Sequence, residues 1–111
     1  MPGDLGIPGV PMSQPPCDGQ YVTFLASAKN TTGPAMQQAL ESFPGSHYLR
    51  TDQTCPSLNS PASDGTPLYR IYAGPYADVA EACAARSMST QGAFVKRLST
   101  TDPPAHIVTC P

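Results

Sequence analysis

Charge is scarce in this sequence. Only 13% of its 111 residues are charged and the formal net charge is -2, so the chain lacks the cationic field that holds nucleic acid or an anionic membrane nonspecifically. No run of about 18 apolar residues is present that could span a bilayer, and Met1 to Val10 lacks the basic start and apolar stretch of a signal peptide. We therefore expect no nucleic-acid partner and no membrane insertion by this segment, and we expect any targeting or membrane-anchoring segment to lie outside it.

Catalytic and metal-binding motifs are also lacking. The sequence has no GxSxG, HExxH or glycine-rich phosphate loop. His47 and His106 belong to no recognisable catalytic or metal motif, and Asp78 and Glu81 are explained as residues that cap a helix. We therefore expect no enzymatic activity, no cofactor and no bound metal.

The cysteines are few but informative. Cys17, Cys55, Cys83 and Cys110 are an even number in a short chain and include no CxxC pair. Structural zinc sites usually bring such short spacings, so the pattern favours two disulfides over a metal. Disulfides persist in oxidising compartments, which places the domain outside the cytoplasm.

Hydrophobic periodicity predicts four strands and two helices. Pro34 stands where a first helix can begin, and Asp78 with Glu81 forms a capping box for a second. The predicted elements are, in order, a strand at 20–27, a helix at 34–43, a strand at 47–52, a strand at 68–73, a helix at 79–88 and a strand at 93–98, with an irregular loop at 54–67 and a short extended segment at 106–110.

This order defines an α+β fold with βαββαβ topology. Two right-handed crossover units place both helices on one face of a four-stranded antiparallel sheet, which is the ferredoxin-like or split βαβ sandwich. The other sheet face is expected to stay uncovered and to offer a ligand surface. Residues 1–16 hold five of the 14 prolines, so we expect a linker there and a single, monomeric domain at 17–111.

The same topology leads to an expected disulfide pairing. In a ferredoxin-like sheet the first and last strands are antiparallel neighbours, so the start of one meets the end of the other. Cys17 precedes the first strand and Cys110 follows the last, and we expect these two to pair. Cys55 and Cys83 are left to pin the long loop to the second helix.

One segment carries a family resemblance. Tyr69-Arg70-Ile71-Tyr72-Ala73-Gly74-Pro75-Tyr76, followed by Glu81-Ala82, resembles the second half-motif of SPOR domains, written YRVxVGPF with an EA pair on the next helix. Val22 to Ser27 matches the first half-motif, VQxGSF, more loosely. The resemblance implies a non-catalytic domain of a larger bacterial protein that binds stem-free glycan strands of peptidoglycan, often at cell-division sites, in the periplasmic or cell-wall space.

Strand alternation selects candidate glycan-binding residues. Arg70 and Tyr72 are expected to point together toward the uncovered sheet face, opposite Ile71. An aromatic ring packs on the apolar C–H faces of a sugar while a guanidinium donates to hydroxyls and carboxylates. The remaining candidates are Thr23 and Tyr21 on the neighbouring strand, and Ser27 and Asn30 at its rim.

Alternative interpretations remain open at this point. Arg70 and Tyr72 can also be an exposed cross-strand pair without a ligand, and Lys96 can serve solubility at a sheet edge. The alternative function is a ligand-sensing or protein-interaction ectodomain that keeps the fold and does not bind glycan. A purely structural spacer is the third possibility.

Overall fold

The computed structural model describes residues 3–29, 31–59, 64–90 and 92–111. The order of elements along these residues is strand, helix, strand, strand, helix, strand. They are β1 (Tyr21–Lys29), α1 (Gly33–Glu41), β2 (His47–Arg50), β3 (Leu68–Tyr76), α2 (Val79–Ala84) and β4 (Phe94–Arg97), with short 3-10 turns at Thr51–Gln53, Pro56–Leu58 and Ala85–Met88.

The four strands form one antiparallel sheet. Its order is β2-β3-β1-β4, with every neighbouring pair antiparallel. This confirms the predicted α+β fold and its ferredoxin-like arrangement. The predicted extended segment near the C-terminus contributes a single antiparallel bridge between Val108 and Val95, at the β4 edge of the sheet.

Capping residues begin both helices. The Thr32 side chain accepts a hydrogen bond from the Ala35 amide at the start of α1, and Asp78 accepts one from Ala80 at the start of α2. These bonds satisfy amides that have no partner inside the helix. Helix α2 ends earlier than predicted, and Met88 lies in the following 3-10 turn with 39% of its surface exposed.

Both helices cover the same face of the sheet. Met36 and Leu40 of α1 pack in one apolar cluster with Leu25 and Ile71 of the central strands. Helix α2 contacts this face through Ala82, whose carbonyl accepts a hydrogen bond from the buried hydroxyl of the β1 residue Thr23. The face is therefore closed by two helices, as the topology requires.

The opposite sheet face is covered as well, which corrects the expectation of an open platform. Val22, Phe24, Leu49, Tyr72 and their neighbours form a second apolar cluster, and the loop after β2 contributes Cys55 and Leu58 to it. Apolar side chains on this face are shielded from water only if another segment covers them. The loop is that covering segment.

Hydrogen bonds hold this loop in place. The Ser57 amide donates to the Ser99 carbonyl, and the Ser57 hydroxyl donates to the carbonyl of Arg97 at the end of β4. The Ser99 amide in turn donates to the Ser57 hydroxyl. Because Ser57 and Ser99 are both buried, this network fixes the loop across the sheet instead of leaving it in solvent.

The segment before Cys17 is packed against the domain and does not extend from it as a linker. Ile7 and Met12 are 7% and 3% exposed and belong to the helix-side core. The Leu5 amide donates to the Tyr48 hydroxyl, and the Tyr69 hydroxyl donates to the carbonyl of Gly3. Two apolar anchors in a proline-rich segment give no periodic signal, so composition alone did not reveal this docking.

The disulfides differ from the expected pairing. The bridges are Cys17 to Cys55 and Cys83 to Cys110, so both predicted pairs are wrong. The presence of two disulfides is confirmed, and such bridges are typical of proteins in an oxidising environment.

The chain path beyond β4 explains the error. Tyr21 does pair with Arg97, so the start of β1 meets the end of β4 as expected. The chain then turns back, and Val108 bridges to Val95. This return carries Cys110 away from the start of β1 and toward α2, while the covering loop brings its own cysteine to Cys17.

The packing of the N-terminal segment can be tested with one core anchor. Met12→Ala should lower the free energy of unfolding by about 2 to 4 kcal/mol, because it leaves a cavity in the helix-side core. Gln14→Ala, at an exposed position two residues away, should cost less than about 0.5 kcal/mol. Urea denaturation measures both values, and equal effects would contradict the packing.

The disulfide pairing can be tested by digesting unreduced protein and sequencing the linked peptides by mass spectrometry. Only fragments joining Cys17 to Cys55 and Cys83 to Cys110 are expected. The bridges span 38 and 27 residues, so removing either one should cost about 3 to 4 kcal/mol in the chain-entropy model. A fragment joining Cys17 to Cys110 would refute the chain path described for the C-terminal segment.

Asp4 should make the docked segment sensitive to acid. Its carboxylate accepts hydrogen bonds from the Gly6 and Met12 amides and the Tyr48 hydroxyl, and these bonds, led by that of Gly6, lower its pKa. A lowered pKa adds stability above the unfolded value, and this stability disappears as the pH falls through the folded value. Asp4→Asn should therefore be less stable than wild type at neutral pH.

The stability difference between wild type and Asp4→Asn should shrink as the pH falls below about 4. The measurement is urea denaturation of both proteins across that range. Asp64 also has a lowered pKa, chiefly from its hydrogen bonds to Thr66, but both proteins keep this residue, so its contribution cancels. A difference that is independent of pH would contradict the role given to the Asp4 carboxylate.

Candidate functional site

Strand β3 places Arg70 and Tyr72 on the same face of the sheet, opposite the helices. Ile71 between them packs in the helix-side core, while Tyr72 belongs to the loop-side cluster. Tyr72 is only 2% exposed, and its ring centroid lies 5.5 Å from that of His47. Burial raises the pKa of the Tyr72 hydroxyl. Tyr72 is thus a core residue, and its ring is not available to stack on a ligand.

Arg70 is half-buried and seated on two aromatic rings. Its guanidinium carbon lies 5.1 Å from the ring centroid of Phe24 and 5.1 Å from that of Phe94. The two rings are tilted against each other with centroids 5.5 Å apart, and Phe24 and Phe94 are direct cross-strand partners. A guanidinium over an aromatic face is held by cation–π attraction, which orients its planar fork.

Ser27 completes this arrangement. It pairs with Arg70 across the two central strands, and its hydroxyl accepts a hydrogen bond of 2.9 Å from the guanidinium. We call Arg70, Phe24, Phe94 and Ser27 the Arg70 cluster. It borders a cavity of about 220 Å³ whose further lining residues are Leu25, Ala26 and Gly92.

Arg70 is a partly buried cation. Among the described residues, the ion pairs join Lys29 to Asp64, Arg50 to Asp52 and Arg97 to Asp102, and none of them includes Arg70. Burial lowers the pKa of Arg70, which reflects the cost of desolvating its charge.

A second cation lies near the cluster. Lys96 is 4% exposed, and its ammonium donates to the carbonyl of Pro104. Burial lowers the pKa of Lys96, and the charge of Arg70 lowers it further, while Asp102 opposes both effects. Two cations on one sheet face favour an anionic ligand, although Asp102 already acts on one of them, Lys96.

The other predicted site residues do not join the cluster. Thr23 was expected on the ligand face, but it is fully buried beneath α2. The β1 register explains this correction, because Val22 and Phe24 occupy the Arg70 side and turn Thr23 toward the helices. Tyr21 lies at the far end of β1, paired with Tyr76 and Arg97.

Of the predicted residues, the structure brings together Arg70 and Ser27. Asn30 lies outside the described residues. The sequence interpretation missed Phe24 and Phe94, which support the guanidinium. The sequence did not show which sheet face Phe24 occupies, because polar and apolar residues do not alternate clearly from Val22 to Leu25.

The described residues offer no metal-ligand set. Across residues 3–29, 31–59, 64–90 and 92–111, no group of three His, Cys, Asp or Glu side chains is placed to hold a metal ion. Within the same ranges, no helix has the length and apolar character needed to cross a bilayer.

A fixed guanidinium beside aromatic rings and a hydroxyl suits a ligand with an anionic group and an apolar face.

Comparisons with known proteins give no match. No family model, no curated protein and no solved structure is significantly similar to this chain. The geometry of the Arg70 cluster and the motif in β3 are therefore the features that bear on function.

Proposed function

We propose that this chain is a non-catalytic domain that binds the stem-free glycan strands of bacterial peptidoglycan. The observation that carries the proposal is the Arg70 guanidinium, which rests on Phe24 and Phe94 and has no ion pair among the described residues. The resemblance of Tyr69 to Tyr76 to the SPOR half-motif supports the same ligand.

The chemistry of the ligand fits the cluster. Sugar rings present C–H faces that pack on the partly exposed ring of Phe94, and their hydroxyls accept hydrogen bonds from the guanidinium and exchange them with Ser27. Removing a peptide stem from its sugar converts an amide into a free carboxylate. Arg70 binds a carboxylate in bidentate fashion, so stem-free strands should bind better than strands that keep their peptides.

The compartment is part of the proposal. The disulfides Cys17–Cys55 and Cys83–Cys110 favour an oxidising environment, and peptidoglycan lies in the space outside the bacterial cytoplasm. We propose that the domain lies in the periplasm or cell wall, and the resemblance to SPOR domains implies a larger parent protein that acts during cell division.

A second candidate function is recognition of a small anionic ligand by the same cluster. The burial of Tyr72 favours it, because a ring that was expected to extend the ligand surface is part of the core instead. This candidate corresponds to a ligand-sensing ectodomain and differs from the first in ligand size. A carboxylated disaccharide that binds as tightly as long strands would support it.

The proposal predicts loss of binding in Arg70→Gln. This change should weaken binding to stem-free glycan strands about tenfold or more, because it removes charge-assisted hydrogen bonds worth about 1.5 to 3 kcal/mol. Arg86→Gln is the matched control, since it removes the same charge at an exposed position. Co-sedimentation with purified sacculi measures binding, before and after enzymatic removal of the stems.

Near-ultraviolet circular dichroism should show both variants folded. Equal binding by folded Arg70→Gln and wild type would contradict the assignment of the site. Release of soluble sugar fragments by the purified domain would contradict its non-catalytic character.

A further inference from the structure

Lys96 lies on the same sheet face as the Arg70 cluster. It follows Phe94 by two positions in β4, so the two side chains point to the same side of the strand. A lysine at this position can extend its flexible stem to solvent, but Lys96 is 4% exposed and donates to the carbonyl of Pro104. A neutral carbonyl compensates a buried ammonium less well than a carboxylate does.

The segment that covers Lys96 is held at both ends. After β4, the Ser99 hydroxyl accepts hydrogen bonds from the amides of Thr101 and Asp102, which fixes the turn. Farther along, the Val108 amide donates to a β4 carbonyl, and Cys110 is bonded to Cys83. Between these two attachments, residues 103–107 have exposed side chains.

We propose that Lys96 is a second cationic contact of the site of Arg70, covered in the free protein by the Pro104 carbonyl. A carboxylate of the ligand replaces this carbonyl when residues 103–107 move away from the sheet. The inference rests on the proposed function and extends it, because it specifies a carboxylated oligosaccharide as the ligand class that Arg70 and Lys96 bind together. The Cys83–Cys110 bridge restricts the movement, so its removal should make Lys96 easier to reach.

The shielding of Lys96 by residues 103–107 can be tested without any ligand. The sequence contains two lysines, Lys29 and Lys96, and the exposed Lys29 side chain serves as an internal reference. Acetylation by an activated ester, followed by mass spectrometry, should modify Lys96 in the wild type at least about tenfold more slowly than Lys29. In Cys83→Ser/Cys110→Ser, the Lys96 rate should rise toward the Lys29 rate. If the acetylation rate of Lys96 is the same in this variant as in the wild type, residues 103–107 do not shield Lys96 and the inference is wrong.

The contact can be tested with two carboxylated sugars. Stem-free glycan strands probe the proposed ligand, and oligogalacturonate probes a carboxylated polymer unrelated to peptidoglycan. Lys96→Met should raise the Kd for the bound sugar about tenfold, which is the lower range for one charge-assisted contact. Lys29→Met is the matched control and should bind like wild type, whereas Lys96→Arg should retain most of the affinity. The Cys83→Ser/Cys110→Ser variant should bind more tightly than wild type.

The outcomes separate this inference from the proposed function. If Arg70→Gln loses binding while folded Lys96→Met keeps the wild-type Kd, the inference is wrong and the proposed function stands. If oligogalacturonate binds through both cations and glycan strands do not bind, the inference stands and the proposed ligand is wrong. If neither sugar binds, both are wrong. Should Lys96→Met fail to fold, Lys96→Gln replaces it in the binding measurement, with the same expected rise in Kd.

Discussion

Strand β1 is buried on both of its faces, and the arrangement of the remaining chain follows from this constraint. Val22 and Phe24 lie toward the covering loop, Thr23 and Leu25 lie toward the helices, and none of the four is more than 2% exposed. A four-stranded sheet with an apolar strand of this kind needs a layer on each side. Two short helices supply one layer, and residues without regular secondary structure supply much of the other.

Disulfides and hydrogen bonds help these irregular layers to persist. A loop or terminal segment loses considerable conformational entropy when it is fixed on a sheet. Burial of its few apolar side chains offsets only part of this cost. Cys17–Cys55 ties the covering loop to the start of β1, and Cys83–Cys110 ties the C-terminal segment to α2. The Ser57 and Ser99 network satisfies polar groups that the loop buries.

Closing the second face also limits which side chains of the sheet stay accessible. Tyr72 becomes part of the core, and the accessible region contracts to the part of the sheet around Arg70 and Ser27. Arg70 is retained there at an electrostatic cost, because it is desolvated and lies near another cation. Lys29, Arg50 and Arg97 pair with carboxylates, whereas Arg70, Arg86 and Lys96 have no ion pair among the described residues. This desolvated cation, more than the fold, is the reason why we propose a ligand site at the Arg70 cluster.

The sequence by itself determined the order of strands and helices, the number of disulfides and the orientation of Arg70 relative to Ile71. These properties are local: periodicity, capping residues and the two-residue repeat of a strand act over short stretches of chain. Only the tertiary structure decided which sheet face each β1 residue occupies, because the sequence pattern put Thr23 on the ligand face and packing turned it toward the helices. It also decided the disulfide pairs and the docking of Ile7 and Met12, since both depend on the path of irregular segments, where few anchors and no repeating pattern specify the contacts.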